Sequence, residues 1–153
     1  DMRLVPPAED LNIEPVAEMA GGWMVRNGHP LLREKVVTLD DLLAYPIAST
    51  PLSDEVARLL VGQYGPKANP AQFRTLECDD IESLIDVTER TDAVLLGVLA
   101  TARERIEAGS LAVLPVRPVL KATARFVYVT LAGRSEAPVM SLLRQFVAQR
   151  MVD

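Results

Sequence analysis

The spacing of apolar and polar positions changes character twice along the chain. Up to residue 29 the apolar residues run in extended fashion, first from Met2 to Val5 and then through "NIEPVAEM" and "GGWMVRN". Alternation and the β-branched or aromatic side chains there predict strand, and Pro6, Pro7 and Pro15 exclude helix. After "GHP", the stretch "VTLDDLLAYP" predicts a short helix. Thr38 caps it, Asp40 and Asp41 sit in its first turn, and Pro46 ends it.

From Ile47 strand and helix alternate. "PIAS" is a short strand. "PLSDEVARLLVGQYG" is a helix with Pro51 near its start, Val56, Leu59 and Leu60 on one face, and Gly65 past its end. "FRTLEC" is the next strand, and "DDIESLIDVTER" the next helix, capped by Asp79 or Asp80 with Ile81, Leu84, Ile85 and Thr88 inward. "AVLLGVL" is an uninterrupted apolar strand of the kind buried in the middle of a parallel sheet. "TARERIEAG" is a helix stopped by Gly109, and "SLAVLPV" closes the series as a strand. This alternation predicts an α/β unit with a parallel sheet and right-handed crossovers.

From Pro118 an extended "TARFVYVTLAG" leads into a final helix, capped by Ser135, whose apolar face is Val139, Leu142, Leu143, Phe146 and Val147. That helix needs a sheet to cover. The unit from Pro46 to Pro115 is already complete, so the last strand and helix are expected to pack with the opening strands. The predicted organisation is therefore two lobes: residues 1–29 and 118–153 form a first, partial lobe, and residues 30–117 form a βαβαβαβ second lobe. The chain crosses between them near His29 and Pro30 and returns near Val116 to Ala122.

Composition narrows the function classes. With 153 residues, 49% of them hydrophobic, the chain can bury a real core. The net charge is −5 and the 16 Lys and Arg residues are scattered singly, so no basic stripe is present to grip a phosphate backbone. One cysteine, Cys78, excludes an internal disulfide framework or a multi-cysteine metal site and fits a reducing compartment. No run approaches the ~20 apolar residues that span a bilayer, and no secretion signal opens the chain, so no membrane association and a cytoplasmic location are expected. The opening "DMRLV" lacks an initiator methionine and enters a strand at once, which reads as a missing upstream part.

Two lobes joined by two crossings is the layout of the type 2 periplasmic-binding fold, and the residues point further. "GHPL" followed by "VTLDDLLAYPI" resembles the start of the second lobe in the effector-binding domain of LysR-type transcriptional regulators. So does "LECDDIESLIDVTERTDAVLLGVLATARERIEAGSLAVLPV", with its closing glycine–leucine–proline phrase, and "ARFVYVTLAGRSEAPVMSLLRQFV" is similar to the family's return strand and terminal helix. The resemblance covers nearly the whole chain and rests on the order of several weak motifs. The family's amino-terminal winged helix-turn-helix has no counterpart here, nor does the opening strand–helix part of the first lobe. Ala100 and Thr101 stand where a proline is customary.

The resemblance implies a small, anionic effector, a carboxylate in the first instance, held between the lobes at the carboxyl ends of the strands. Open α/β sheets bind ligands at that place. Ser49, Thr50 and Ser53 put hydroxyls at a helix amino terminus, where free N–H groups and the helix dipole favour an anion. Their plainer role is capping. Thr101 occupies the matching corner after "AVLLGVL", again with capping as the plainer role. Asp79 and Asp80 are expected to cap, because an acidic pair facing the cleft would repel an anionic effector. Cys78 has no second cysteine or neighbouring cation and reads as a buried structural residue, and Trp23 as core.

His29 has no Cys partner or Ser–Asp pair at a recognisable spacing; GxSxG, HExxH, P-loop and GxGxxG patterns are all missing. No enzyme activity, cofactor or metal is therefore expected. Asn27, Gly28 and Pro30 make "GHP" a junction, with His29 solvated or beside a hinge. The resemblance implies effector binding and oligomerisation, as homodimer or tetramer, in a LysR-type regulator, with the helix from Leu52 to Tyr64 as a contact surface. DNA is reached only through an upstream domain this chain does not contain. The alternative is an extracytoplasmic solute-binding protein of the same fold, and a small-molecule enzyme on that fold stands third.

Overall fold

A computed structural model describes residues 10–133 and 137–151. The strand expected at Met2 to Val5 and the cap expected at Ser135 lie outside the described residues. In chain order the elements are β1 (Leu11–Arg26), α1 (Leu39–Leu42), β2 (Ile47–Ser49), α2 (Asp54–Tyr64), α3 (Pro70–Phe73), β3 (Arg74–Glu77), α4 (Ile81–Arg90), β4 (Val94–Val98), α5 (Arg103–Glu107), β5 (Leu111–Val113), β6 (Thr123–Leu131) and α6 (Val139–Arg150). Short 3₁₀ turns cover Pro30–Arg33, Pro66–Ala68 and Leu99–Ala102.

The expected strand–helix alternation is present, but the sheet is mixed. β2 pairs in parallel with β3 and β4. β5 does not join β4; the end of β1 is inserted between them, antiparallel to both, in the order β3-β2-β4-β1-β5. Local periodicity fixes which residues face outward and says nothing about which distant strand enters the sheet. What qualifies β1 for the place is a run, Trp23, Met24 and Val25, apolar on both faces and buried on both.

Alternation then sorts the core into two layers. Trp23 and Val25 of β1, Ile47 of β2, and Val94 and Leu96 of β4 point to one side, where they meet Leu42 and Leu60. Met24, Ala48 and Leu95 point to the other side, against Leu84 and Ile85 of α4 and Leu111. α1 and α2 thus cover one face and α4 the other, as doubly covered sheets require.

Further back along β1 the partner changes to β6, with which Leu11 to Ala20 form an antiparallel ribbon. The register shifts between Pro15 and Ala17, leaving Val16 as the extra residue of a bulge. Ahead of the bulge, Ile13 pairs with Val129; beyond it Met19 pairs with Ala124, on the opposite face of β6, and both of these are buried. α6 lies against this ribbon as expected: Arg144 pairs with Glu14 at 2.6 Å and stacks over Tyr128. Of the apolar stripe expected to face inward, only Val147 is half-buried. Val139, Leu142, Leu143 and Phe146 are 62%, 64%, 43% and 56% exposed, because the helix meets the ribbon through the side that carries Arg144.

His29 departs from expectation as well. It is fully buried, not solvated. Nδ1 accepts the N–H of Leu31 at 3.2 Å, and Nε2 lies 3.2 Å from the Asp92 carbonyl oxygen. A carbonyl only accepts, so Nε2 carries the proton and the ring is the neutral Nε2–H tautomer. The Tyr45 ring packs beside it at 4.6 Å. Gly28, at φ 73°, turns the chain there.

Two substitutions test this account. His29→Leu fills the space but orphans the Leu31 N–H and the Asp92 carbonyl, and is expected to cost about 1–3 kcal/mol in urea unfolding. At Gly22, an added Cβ would stand 2.5 Å from Leu99 Cδ2. Gly22→Ala is expected to destabilise by about 1–3 kcal/mol, and the double variant with Leu99→Ala to lose less than the sum of the two single changes.

Candidate functional site

Three elements close around a cavity of about 240 Å³. The segment leading into α2 supplies Thr50, Pro51, Leu52 and Ser53, and α2 itself supplies Val56 and Leu60. The carboxyl end of β4 supplies Leu96, Gly97 and Val98. The returning chain and β6 supply Leu120, Ala122, Thr123, Ala124 and Phe126, with Gly21 beneath.

Beside the cavity the returning chain is held by β1 and by α2. Gly21 N–H donates to the Ala122 carbonyl at 2.8 Å. The approach is close: a Cβ on Gly21 would stand 3.3 Å from the Cβ and the carbonyl oxygen of Ala122. On the α2 side, the Gln63 amide uses both its ends. Nε2 donates to the Val119 carbonyl, and Oε1 accepts the Lys121 N–H at 3.1 Å.

Two of the four residues singled out in the sequence meet at the cavity. Thr50 follows β2 at its carboxyl end, and among the described residues nothing hydrogen-bonds its side chain. Ser53 caps α2: its Oγ accepts the Val56 N–H at 3.3 Å. That leaves the Ser53 hydroxyl proton for another acceptor. Ser49 is wholly buried behind them, does not line the cavity, and its hydroxyl has no partner among the described residues. Thr101 is exposed in the 3₁₀ turn after β4, donates to the Val98 carbonyl at 2.7 Å, and is not among the lining residues.

Residues that sequence reasoning did not single out make up most of the lining. Leu120, Thr123, Ala124 and Phe126 come from 70 residues downstream of Thr50, and no local spacing signals that proximity. Among the described residues no charged side chain lines the cavity. Asp54 and Glu55, in the first turn of α2, are exposed and themselves complement the helix dipole.

The remaining candidates have structural roles. Asp80, not Asp79, caps α4, accepting from the N–H groups of Glu82 and Ser83 and from the Ser83 hydroxyl. The Ser83 hydroxyl holds the Asp80 carboxyl below the usual carboxylate range. Asp41 is lowered in the same way by the Thr38 hydroxyl and N–H. Burial pushes the Tyr64 phenol up. Trp23 is core, and Cys78 is half-buried at the edge of the layer around Met24. Among the described residues no helix is long and apolar enough to cross a membrane, and no three His, Cys, Asp or Glu side chains converge to hold a metal ion.

Residues 2–152 match the family described as the LysR substrate binding domain. The chain belongs to that family. A curated relative, the "SDS degradation transcriptional activation protein" of a Pseudomonas species, is 33% identical over 150 residues, covering 96% of this chain and 48% of that protein. The chain thus spans about half the length of the curated relative it matches. Among solved structures, the effector domain of AmpR from Pseudomonas aeruginosa superposes with a TM-score of 0.69 at 14% identity, over 95% of this chain and 67% of that one. The regulatory domain of CcmR from Synechocystis, in complex with 2-PG, gives 0.64 at 16% identity over 97% and 71%. The QuiR effector binding domain, in complex with shikimate, gives 0.64 at 12% over 96% and 68%. The fold is therefore the α/β, type 2 periplasmic-binding-like architecture of LysR effector domains.

The Asp80 cap yields a pH prediction. A carboxyl held lower in the folded chain than in the unfolded one contributes stability above its ordinary pKa and loses that contribution as pH falls through the folded value. Asp80→Asn keeps an accepting oxygen at the cap but does not titrate. Its stability is expected to fall less steeply than the parent's below about pH 4; superimposable acid profiles would show that Asp80 carries none of the dependence.

Proposed function

We propose that this chain is the effector-sensing part of a LysR-type transcription regulator. On this reading it takes a small molecule into the cavity between α2, β4 and β6, with the ligand's carboxylate at Thr50 and Ser53. The observation that carries the reading is the cavity itself, where two hydroxyls at the start of a helix converge on a hollow at the carboxyl ends of strands. The relative named as a transcriptional activation protein supports a regulator over a solute-binding protein. The complexes of CcmR with 2-PG and of QuiR with shikimate support a small-molecule ligand.

Mechanistically, the ligand would bridge two walls that come from distant stretches of the chain. α2 and β4 lie on one side of the cavity, and β6 and the returning chain on the other. A molecule that touches both binds best where they stand closest, and so shifts the population toward that arrangement. The shift would be passed to DNA-binding parts of the intact protein outside this chain. Ser49 would support the loop from beneath, and Thr101 would fix the turn at the end of β4.

Thermal shifts over a panel of small carboxylates, with the parent and Thr50→Ala, test the site. The carboxylate that stabilises the parent is expected to stabilise Thr50→Ala by roughly 1 kcal/mol less at the same concentration. Equal stabilisation of the two chains would remove Thr50 from the site.

A further inference from the structure

From the cavity walls we infer that the effector is an amphipathic molecule: its buried body is hydrocarbon, and its polar groups are few and gathered mainly toward the start of α2. This rests on the cavity being the effector site and adds the chemical class of its occupant. Among the described residues around the cavity none is charged, and the side-chain hydroxyls belong to Thr50, Ser53 and Thr123. The rest of the wall is aliphatic or aromatic, with Val56, Leu60 and Leu96 on one side and Leu120, Ala124 and Phe126 on the other.

Such walls discriminate by what they leave unmet. A compact polyhydroxylated acid such as shikimate would bring several hydroxyls against Leu and Phe side chains, each orphaned hydroxyl costing about tenfold or more in affinity. An alkyl body loses nothing there and gains with each methylene removed from water. Thr50 and Ser53 both belong to the segment entering α2, and Thr123 adds a single hydroxyl from the start of β6, so the described walls meet few polar groups and most of them beside α2.

Isothermal calorimetry with butanoate, hexanoate, octanoate and shikimate tests the inference on the intact chain. Affinity is expected to rise about three- to fourfold per added methylene until the cavity is full, with an increasingly negative heat-capacity change, and shikimate is expected to bind more weakly than hexanoate. Val56→Phe narrows the cavity with an apolar group, and should erase the gain between hexanoate and octanoate while leaving butanoate unchanged. Leu120→Phe does the same from the opposite wall should Val56→Phe fail to fold. A flat alkanoate series, no octanoate binding, or shikimate as the tightest probe overturns the amphipathic class. If shikimate then loses affinity in Thr50→Ala, the effector site stands and only its occupant's class was wrong. If Thr50→Ala and both narrowing variants leave every probe unchanged, binding lies outside this cavity and both readings fall.

Discussion

The fold depends on one strand holding two places at once. β1 enters the sheet only with its last six residues, where it separates β4 from β5, and spends its first ten residues in a ribbon with β6. Both pairings must be in register together, because a slip of one residue would exchange the layer of Trp23 and Val25 with that of Met24. The bulge at Val16 makes the two registers compatible by letting β1 change which of its residues share a face with β6. The change of partner falls near Gly21, and there the returning chain lies against β1 and the cavity opens. The site is thus a by-product of the place where one strand passes from ribbon to sheet.

Much of this was legible in the sequence because it is local. Thr38, Ser53 and Asp80 begin their helices as their side-chain chemistry predicts, and Gly65 closes α2. The alternation of Val94, Leu95 and Leu96 is that of a strand buried on both faces. What escaped is non-local. Nothing in "GGWMVRN" announces that it will lie between two strands some 70 and 90 residues away. The same limit hid the role of His29, whose acceptor is a carbonyl 63 positions on. α6 shows the converse: a clear apolar stripe at helical spacing, Val139 to Phe146, that predicts a buried face and is turned outward.

At the site the sequence supplied one wall. Hydroxyls beside a helix start can be recognised from spacing, and Thr50 and Ser53 do reach the cavity, but spacing does not separate them from Ser49, one residue earlier and buried, or from Thr101. The second wall comes from the return of the chain after Pro118 and completes an apolar lining that Val56, Leu60 and Leu96 begin. Hydroxyls alone suggest a site for charge; hydroxyls set against Leu120, Ala124 and Phe126 suit the amphipathic ligand proposed above.

The clasp at Gln63 has a chemical consequence. Its amide works because one end donates to the Val119 carbonyl while the other accepts from Lys121 N–H. Hydrolysis of that amide to a carboxylate, the ordinary ageing reaction of side-chain amides, would replace the donating nitrogen by a second acceptor and set two oxygens face to face. The change adds one negative charge and almost no volume. A preparation that loses its hold on the returning chain over time would then keep its mass to within one unit and its core intact, while the wall carrying Leu120 drifts from α2.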